Sequence, residues 1–166
     1  MRTHALFPLL VLAACSNAPT PEQAAPEPEV ATALTPGQWE VTAEVTKLTA
    51  MDNGSPAINT PAGTKSTVSH CVGAEEVKKP AAELFGGENG GDCQYRNFYM
   101  ARGRLNASLS CTPEGLSGSV LTTVDGTFTA DSLDATSTVE TYLASSGDVR
   151  ISTKVTGHRV GECKPA

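Results

Sequence analysis

Cysteine and histidine are the residues here with the most chemistry to offer, and their spacing limits which chemistry to expect. Cys71, Cys93, Cys111 and Cys163 form an even set. No two of them stand in Cys-x-x-Cys spacing, which argues against a thioredoxin-like motif or a zinc knuckle. His70 and His158 each lie within five residues of one of these cysteines. If Cys71 and Cys163 are bridged, the two imidazoles approach each other at one end of a sheet. With Glu75 or Glu162 they would then offer a two-histidine site for a transition metal. The plainer reading is two surface histidines beside a disulfide, and no metal site is assigned. A hydrolase needs a nucleophile, a base and an orienting acid. Serines are plentiful, but no Gly-x-Ser-x-Gly elbow occurs, and Leu116-Ser117-Gly118-Ser119 reads as strand-edge sequence. Asp131 and Asp134 resemble a carboxylate pair, yet acids are spread evenly along the chain. No catalytic residue and no cofactor is assigned, and the expectation is a protein that is not an enzyme.

Cys15 is the fifth cysteine, and its setting is different. Arg2 precedes an eight-residue apolar run, Ala5-Leu6-Phe7-Pro8-Leu9-Leu10-Val11-Leu12. Spanning the hydrocarbon core takes about 20 residues, so this run is a secretory signal rather than a membrane helix. Leu12-Ala13-Ala14-Cys15 resembles the lipobox of bacterial lipoproteins. The resemblance implies cleavage before Cys15 and a diacylglyceryl thioether on it, with further acylation to make anchoring stable. Residues 16–29 hold four prolines and three glutamates with almost no large apolar side chain, too little to bury for folding. They read as an extended spacer. Ser16 after the lipidated position, rather than Asp, resembles the outer-membrane sorting class. The expected address is therefore the bacterial envelope, lipid-anchored in the outer membrane and facing the periplasm. Expected segments are a signal peptide at 1–14, a lipidated and proline-rich tether at 15–34, and a β domain at 35–166.

Charge and cysteines then constrain the domain. Removing residues 1–14 takes away Arg2 and no acid, so the net charge of −6 becomes −7. Nucleic acid and anionic lipid are poor partners for a surface of that overall sign. Aromatic residues make up only 5% of the chain, so the core is aliphatic and thin, and disulfides would supplement it. In an oxidising compartment the four domain cysteines default to two bridges with three connectivities open. If 93–111 is a hairpin turning at Ala101-Arg102-Gly103, Tyr95 faces Leu109, Asn97 faces Ala107 and Tyr99 faces Leu105. In that register Cys93 falls opposite Cys111, which leaves Cys71 for Cys163.

The elements that would carry these residues are mostly strands. Trp39, Val41, Ala43 and Val45 alternate with Glu40, Thr42 and Glu44, the period-2 pattern of a half-buried strand. Residues 50–63 are dense in turn formers, and a second strand covers about 64–72. Short helical candidates follow at 73–80 and 81–86, divided by Pro80. After the hairpin, strands at about 116–125 and 127–141 are expected to join at Asp125-Gly126, a two-residue turn signal. A last strand covers 148–159. Seven strands with short connections imply a curved antiparallel sheet or small partly closed barrel, mainly all-β, with one short helical segment.

Four pieces of this chain resemble domain-of-unknown-function family 3617, an uncharacterised bacterial family. They are Pro36-Gly37-Gln38-Trp39-Glu40-Val41-Thr42, then His70-Cys71-Val72 with Lys79-Pro80, then Asp92-Cys93 with Cys111, and Gly157-His158-Arg159-Val160-Gly161-Glu162-Cys163. The resemblance implies a secreted or lipoprotein chain with this cysteine framework, and no activity. Many members carry a methionine-rich stretch after the first strand; here Met51-Asp52-Asn53-Gly54-Ser55 stands in its place. The leading expectation is a non-catalytic envelope binding or interaction module that meets the membrane through Cys15 and an envelope protein through its domain. The alternative is a carrier of a small apolar ligand, with Trp39, Tyr95, Tyr99, Leu105 and Leu109 lining a cavity.

Overall fold

The computed structural model describes residues 30–86, 92–112, 115 and 117–163. The signal sequence, Cys15 and the spacer up to residue 29 lie outside the described residues, as does Leu116.

Seven strands form one antiparallel sheet curled into a half-barrel. They are β1 (Gly37–Ala50), β2 (Lys65–Val72), β3 (Asp92–Ala101), β4 (Arg104–Thr112), β5 (Gly118–Phe128), β6 (Ser132–Leu143) and β7 (Val149–Gly161), with a single helical turn, α1 (Glu83–Gly86). The spatial order is β2-β1-β7-β6-β5-β4-β3, so β2 and β3 are the two edges. Alternation decides which face curls inward. Along β4, Leu105, Ala107, Leu109 and Cys111 are buried, while Arg104, Asn106 and Thr112 are exposed. Along β7, Val149, Ile151, Thr153 and Val155 point inward. Bulges at 38/39 and 45/47 in β1 and at 95/97 in β3 strengthen the bend. At Gly157 a side chain would meet Leu133 and Val41 within 3.0 Å, so glycine lets the inner face tighten there.

The open mouth of the half-barrel is covered by residues 73–86, which follow β2. Residues 73–79 make successive tight turns, with Glu76 N donating to Gly73 O and Lys79 N to Glu76 O. The first helical candidate is thus a turn series, and among the described residues only α1 is helical. Pro80, Ala82, Leu84 and Phe85 are buried against Trp39 and Leu34, each large side chain contributing about 1.5–3 kcal/mol. The Tyr95 hydroxyl reaches across from β3 and donates to Pro80 O at 2.9 Å, with Lys79 5.3 Å above its ring. This strap therefore links one edge strand to the other. Residues 30–34, placed in the tether by sequence, also pack: Leu34 is buried and its N–H donates to Val77 O.

Two sequence expectations are corrected here. Asp125-Gly126 is not a turn. β5 runs through it to Phe128, and the reversal comes at 129–131, where Thr129 Oγ1 accepts from the N–H groups of Asp131 and Ser132. Gly126 is needed for close approach instead, since a Cβ would lie 2.4 Å from Asp134 O. In the β3–β4 hairpin, Cys93 pairs with Cys111 and Tyr95 with Leu109, but Arg96 bulges out. Beyond it Asn97 pairs with Ser108, Phe98 with Ala107 and Tyr99 with Asn106. The one-residue shift turns Tyr99 outward and brings Met100 inward.

Candidate functional site

Three of the motifs singled out in the sequence meet at one corner of the sheet. The start of β1 lies between the ends of β2 and β7, so Gln38 pairs with Cys71 on one side and Gly161 on the other. Cys71 is bonded to Cys163 there, with Cα atoms 5.4 Å apart. Cys93 and Cys111 form the second disulfide, across the β3–β4 hairpin, with a Cα separation of 4.0 Å. Trp39 is wholly buried and its indole N–H donates to Thr35 O at 3.0 Å. Arg159 donates from Nε to Pro36 O at 2.7 Å and pairs with Glu162. Its guanidinium lies over Gly37, whose φ of +144° and lack of Cβ make room for it.

The two histidines do not converge. His70 pairs with Trp39 and shares its inward face; His158 pairs with Glu40 and faces out. Trp39 and Glu40 are successive residues of one strand, so the histidines stand on opposite faces. His158 Nε2 is 3.9 Å from Glu40 Oε2. His70 Nε2 is 3.5 Å from Glu76 Oε2 without forming a hydrogen bond, and that oxygen accepts Gly73 N–H. Among the described residues, no three histidine, cysteine or acidic side chains come together in a metal-holding group. Glu75 is exposed, and Glu162 belongs to Arg159.

The other candidates are equally separated. Asp131 sits in the β5–β6 turn, its carbonyl accepting Arg159 N–H, while Asp134 lies on the outer face 3.9 Å from Lys154. Ser117 and Ser119 are exposed at the start of β5. Of the five residues expected to line a cavity, Trp39, Leu105 and Leu109 are packed in the core. Tyr95 is half-buried under the strap, where burial first and Glu83 second push its phenol well above the usual tyrosine range. Tyr99 is on the outside.

Two features escaped the sequence reading. The first is a loop clasp: Asp52 accepts Gly54 N–H with one oxygen and the N–H groups of Gly147 and Asp148 with the other. Those backbone hydrogen bonds hold the Asp52 carboxyl below its ordinary range. The second is a cationic hairpin. Arg96 in the bulge midway along β3, Arg102 in the turn and Arg104 at the start of β4 are all exposed, as is Tyr99 in β3. Three arginines within residues 96–104 of an acidic chain were the signal available for it.

No curated protein and no solved structure matches this chain. A match to one family does exist, and it spans the folded region from Leu34 to Cys163. The chain belongs to the family of proteins of unknown function DUF3617, matched over residues 34–163.

Proposed function

We propose that this is a non-catalytic binding module of the bacterial envelope, anchored by lipid on Cys15, that engages an envelope protein through the edges of its sheet. The carrying observation is an open sheet with a filled interior. β2 and β3 are edge strands that do not pair with one another, and each presents backbone donors and acceptors along its free side. Trp39, Leu84, Leu109 and Val124 occupy the concave side at no more than 1% exposure, where an apolar-ligand carrier needs empty volume. Of the motif residues at the corner, Trp39 and Arg159 are engaged in packing and hydrogen bonds and Cys71 and Cys163 in a disulfide, while His70 Nε2 has no hydrogen-bond partner among the described residues.

A photo-crosslinking residue at Thr67 on β2 or Gln94 on β3, with Thr136 on the outer face of β6 as reference, tests this in intact cells. Adducts of defined mass from the edge positions and none from Thr136 are expected. Equal labelling from all three positions, or none, would overturn the edge-binding reading. Cys15→Ser is expected to release the protein from the membrane fraction; retention there would overturn the anchor.

A further inference from the structure

Five arginines lie among the described residues, and the two outside the β3–β4 hairpin are both paired: Arg150 with Glu140, Arg159 with Glu162. Arg96, Arg102 and Arg104 have no acidic partner among the described residues. The acids on the neighbouring strands and turn make no ion pair with them: Asp125 accepts from the Asn106 amide, Asp134 faces Lys154, and Asp131 in the β5–β6 turn has no ion pair within those residues. Asp92 is at the far end of β3. Around the arginines, Tyr99 is 50% exposed and Val30 is 59% exposed, two of the larger apolar surfaces left uncovered. A cationic cluster with an exposed phenol and an aliphatic side chain has the composition of a surface that sits at a bilayer interface.

The path of the chain gives this end of the domain its orientation. Gly103 N–H donates to Ala31 O at 2.8 Å, and Val30 lies against Gly103. The polypeptide arriving from Cys15 therefore joins the domain at the tip of this hairpin. Fourteen residues separate Cys15 from Val30, a span of roughly 45 Å even at full polyproline extension. A surface held within that reach meets the membrane at high effective concentration. The chain is acidic overall, so attraction to an anionic surface has to come from a local cationic cluster such as this one.

We propose that the turn and exposed side of the β3–β4 hairpin form a membrane-docking surface, in which Arg96, Arg102 and Arg104 engage the phosphates of anionic phospholipids while Tyr99 and Val30 rest in the headgroup layer. The proposal rests on the anchor at Cys15. The competing occupant is the chain itself, because Glu27 and Glu29 lie within four residues of Ala31.

The test uses the mature chain, residues 15–166, coupled through the Cys15 thiol to a maleimide-headgroup lipid; the other four cysteines are held as disulfides. Coupling supplies the anchor whether or not the cell acylates Cys15, which intact-mass analysis of the native protein decides separately. Trp39 is the only tryptophan, and energy transfer from it to a dansyl-headgroup lipid reports how near the domain lies to the bilayer. Transfer is expected to be high on vesicles containing phosphatidylglycerol, to fall with salt, and to be low on phosphatidylcholine alone. Each arginine near an anionic surface changes the docked-to-free ratio about fivefold. Arg96→Gln/Arg102→Asn/Arg104→Gln is thus expected to lower it roughly a hundredfold, to the phosphatidylcholine level, with an unchanged melting temperature as the folding control. Equal transfer from the triple variant overturns the proposal. So does docking that emerges only with Glu27→Gln/Glu29→Gln, which would make the tether the occupant of the arginines.

Discussion

Replacing Gly37 by alanine tests whether the corner of β1, β2 and β7 holds the domain together. Gly37 has a φ of +144°, and a Cβ there would lie 2.4 Å from Gly161 O, 2.5 Å from Arg159 Nε and 2.8 Å from Arg159 Nη2. The backbone conformation alone costs an alanine about 1–3 kcal/mol. The Gly161 carbonyl belongs to the β7 backbone and has nowhere to retreat without disturbing its pairing with Gln38. Pushing the guanidinium aside also breaks its charge-assisted bond to Pro36 O, worth about 1.5–3 kcal/mol. Together these give a loss of about 3–5 kcal/mol, or roughly 10–20 °C in melting temperature for a domain of this size. Gly63→Ala is the control: its φ is +87° but no atom lies within 4 Å of a Cβ, so only the backbone cost of about 1 kcal/mol applies. Urea unfolding followed by Trp39 fluorescence, with disulfides intact, reads both. Arg159→Gln should make Gly37→Ala milder by about 1 kcal/mol, because the two residues are in contact. A Gly37→Ala loss no larger than that of Gly63→Ala would refute the account of this corner.

Three further outcomes follow from the geometry. Replacing Cys71 and Cys163 together by alanine, which frees a closure over 92 residues, should cost about 4–5 kcal/mol in the chain-entropy account, against about 3 kcal/mol for the 18-residue closure of Cys93 and Cys111, as measured by chemical denaturation. Tyr95→Phe removes the bond to Pro80 O and should cost about 1 kcal/mol, with faster amide exchange across residues 80–86. Because the Tyr95 phenol titrates above its unfolded value, its stabilisation is full below about pH 10 and is lost as pH rises through the folded value, so Tyr95→Phe should flatten the alkaline limb of the stability profile. Asp52 has the opposite sign: its carboxyl is depressed, so its contribution is full above about pH 4 and fades as pH falls through the folded value. Asp52→Asn should remove that part of the acid sensitivity, read as amide exchange at Gly54, Gly147 and Asp148.

How far the sequence carried the fold depended on whether a residue's role was local. The alternation in 38–45 and 149–155 is a property of each strand alone, and both strands stand where it places them. Asp125-Gly126 has a local signature for a turn, but its glycine answers a need set by the neighbouring strand, the approach of Asp134 O. Thr129, whose hydroxyl holds the real turn, carried a weaker local signal. In the β3–β4 hairpin two departures offset one another. The three-residue turn became a two-residue turn at Arg102-Gly103, and the bulge at Arg96 absorbed the difference, so Cys93 still met Cys111 while Tyr99 turned to the outside. Nothing in the spacing of the aromatic residues distinguishes those two registers. The opposed faces of His70 and His158 were likewise set by the strand between them.

That intervening strand also says where function is to be sought. The pieces that identify the family are largely consumed by structure: Trp39 by the core and Thr35, Gly37 by the room Arg159 requires, Arg159 by Pro36 and Glu162, and the two outer cysteines by each other. A residue already satisfied in this way has no free donor, acceptor or thiol left for a ligand. At the corner itself His70 Nε2 is the one buried side-chain polar atom left without a hydrogen-bond partner among the described residues; other open groups lie away from it. They include the free sides of β2 and β3, and the arginines of the β3–β4 hairpin, whose tip is where the chain from Cys15 enters. The corner thus fixes one end of β1 between two strands, and the curl of the sheet carries the opposite edge round to the mouth that the strap covers. A perturbation of Gly37 should accordingly destabilise the whole domain, whereas removing the three hairpin arginines should change only what the domain touches.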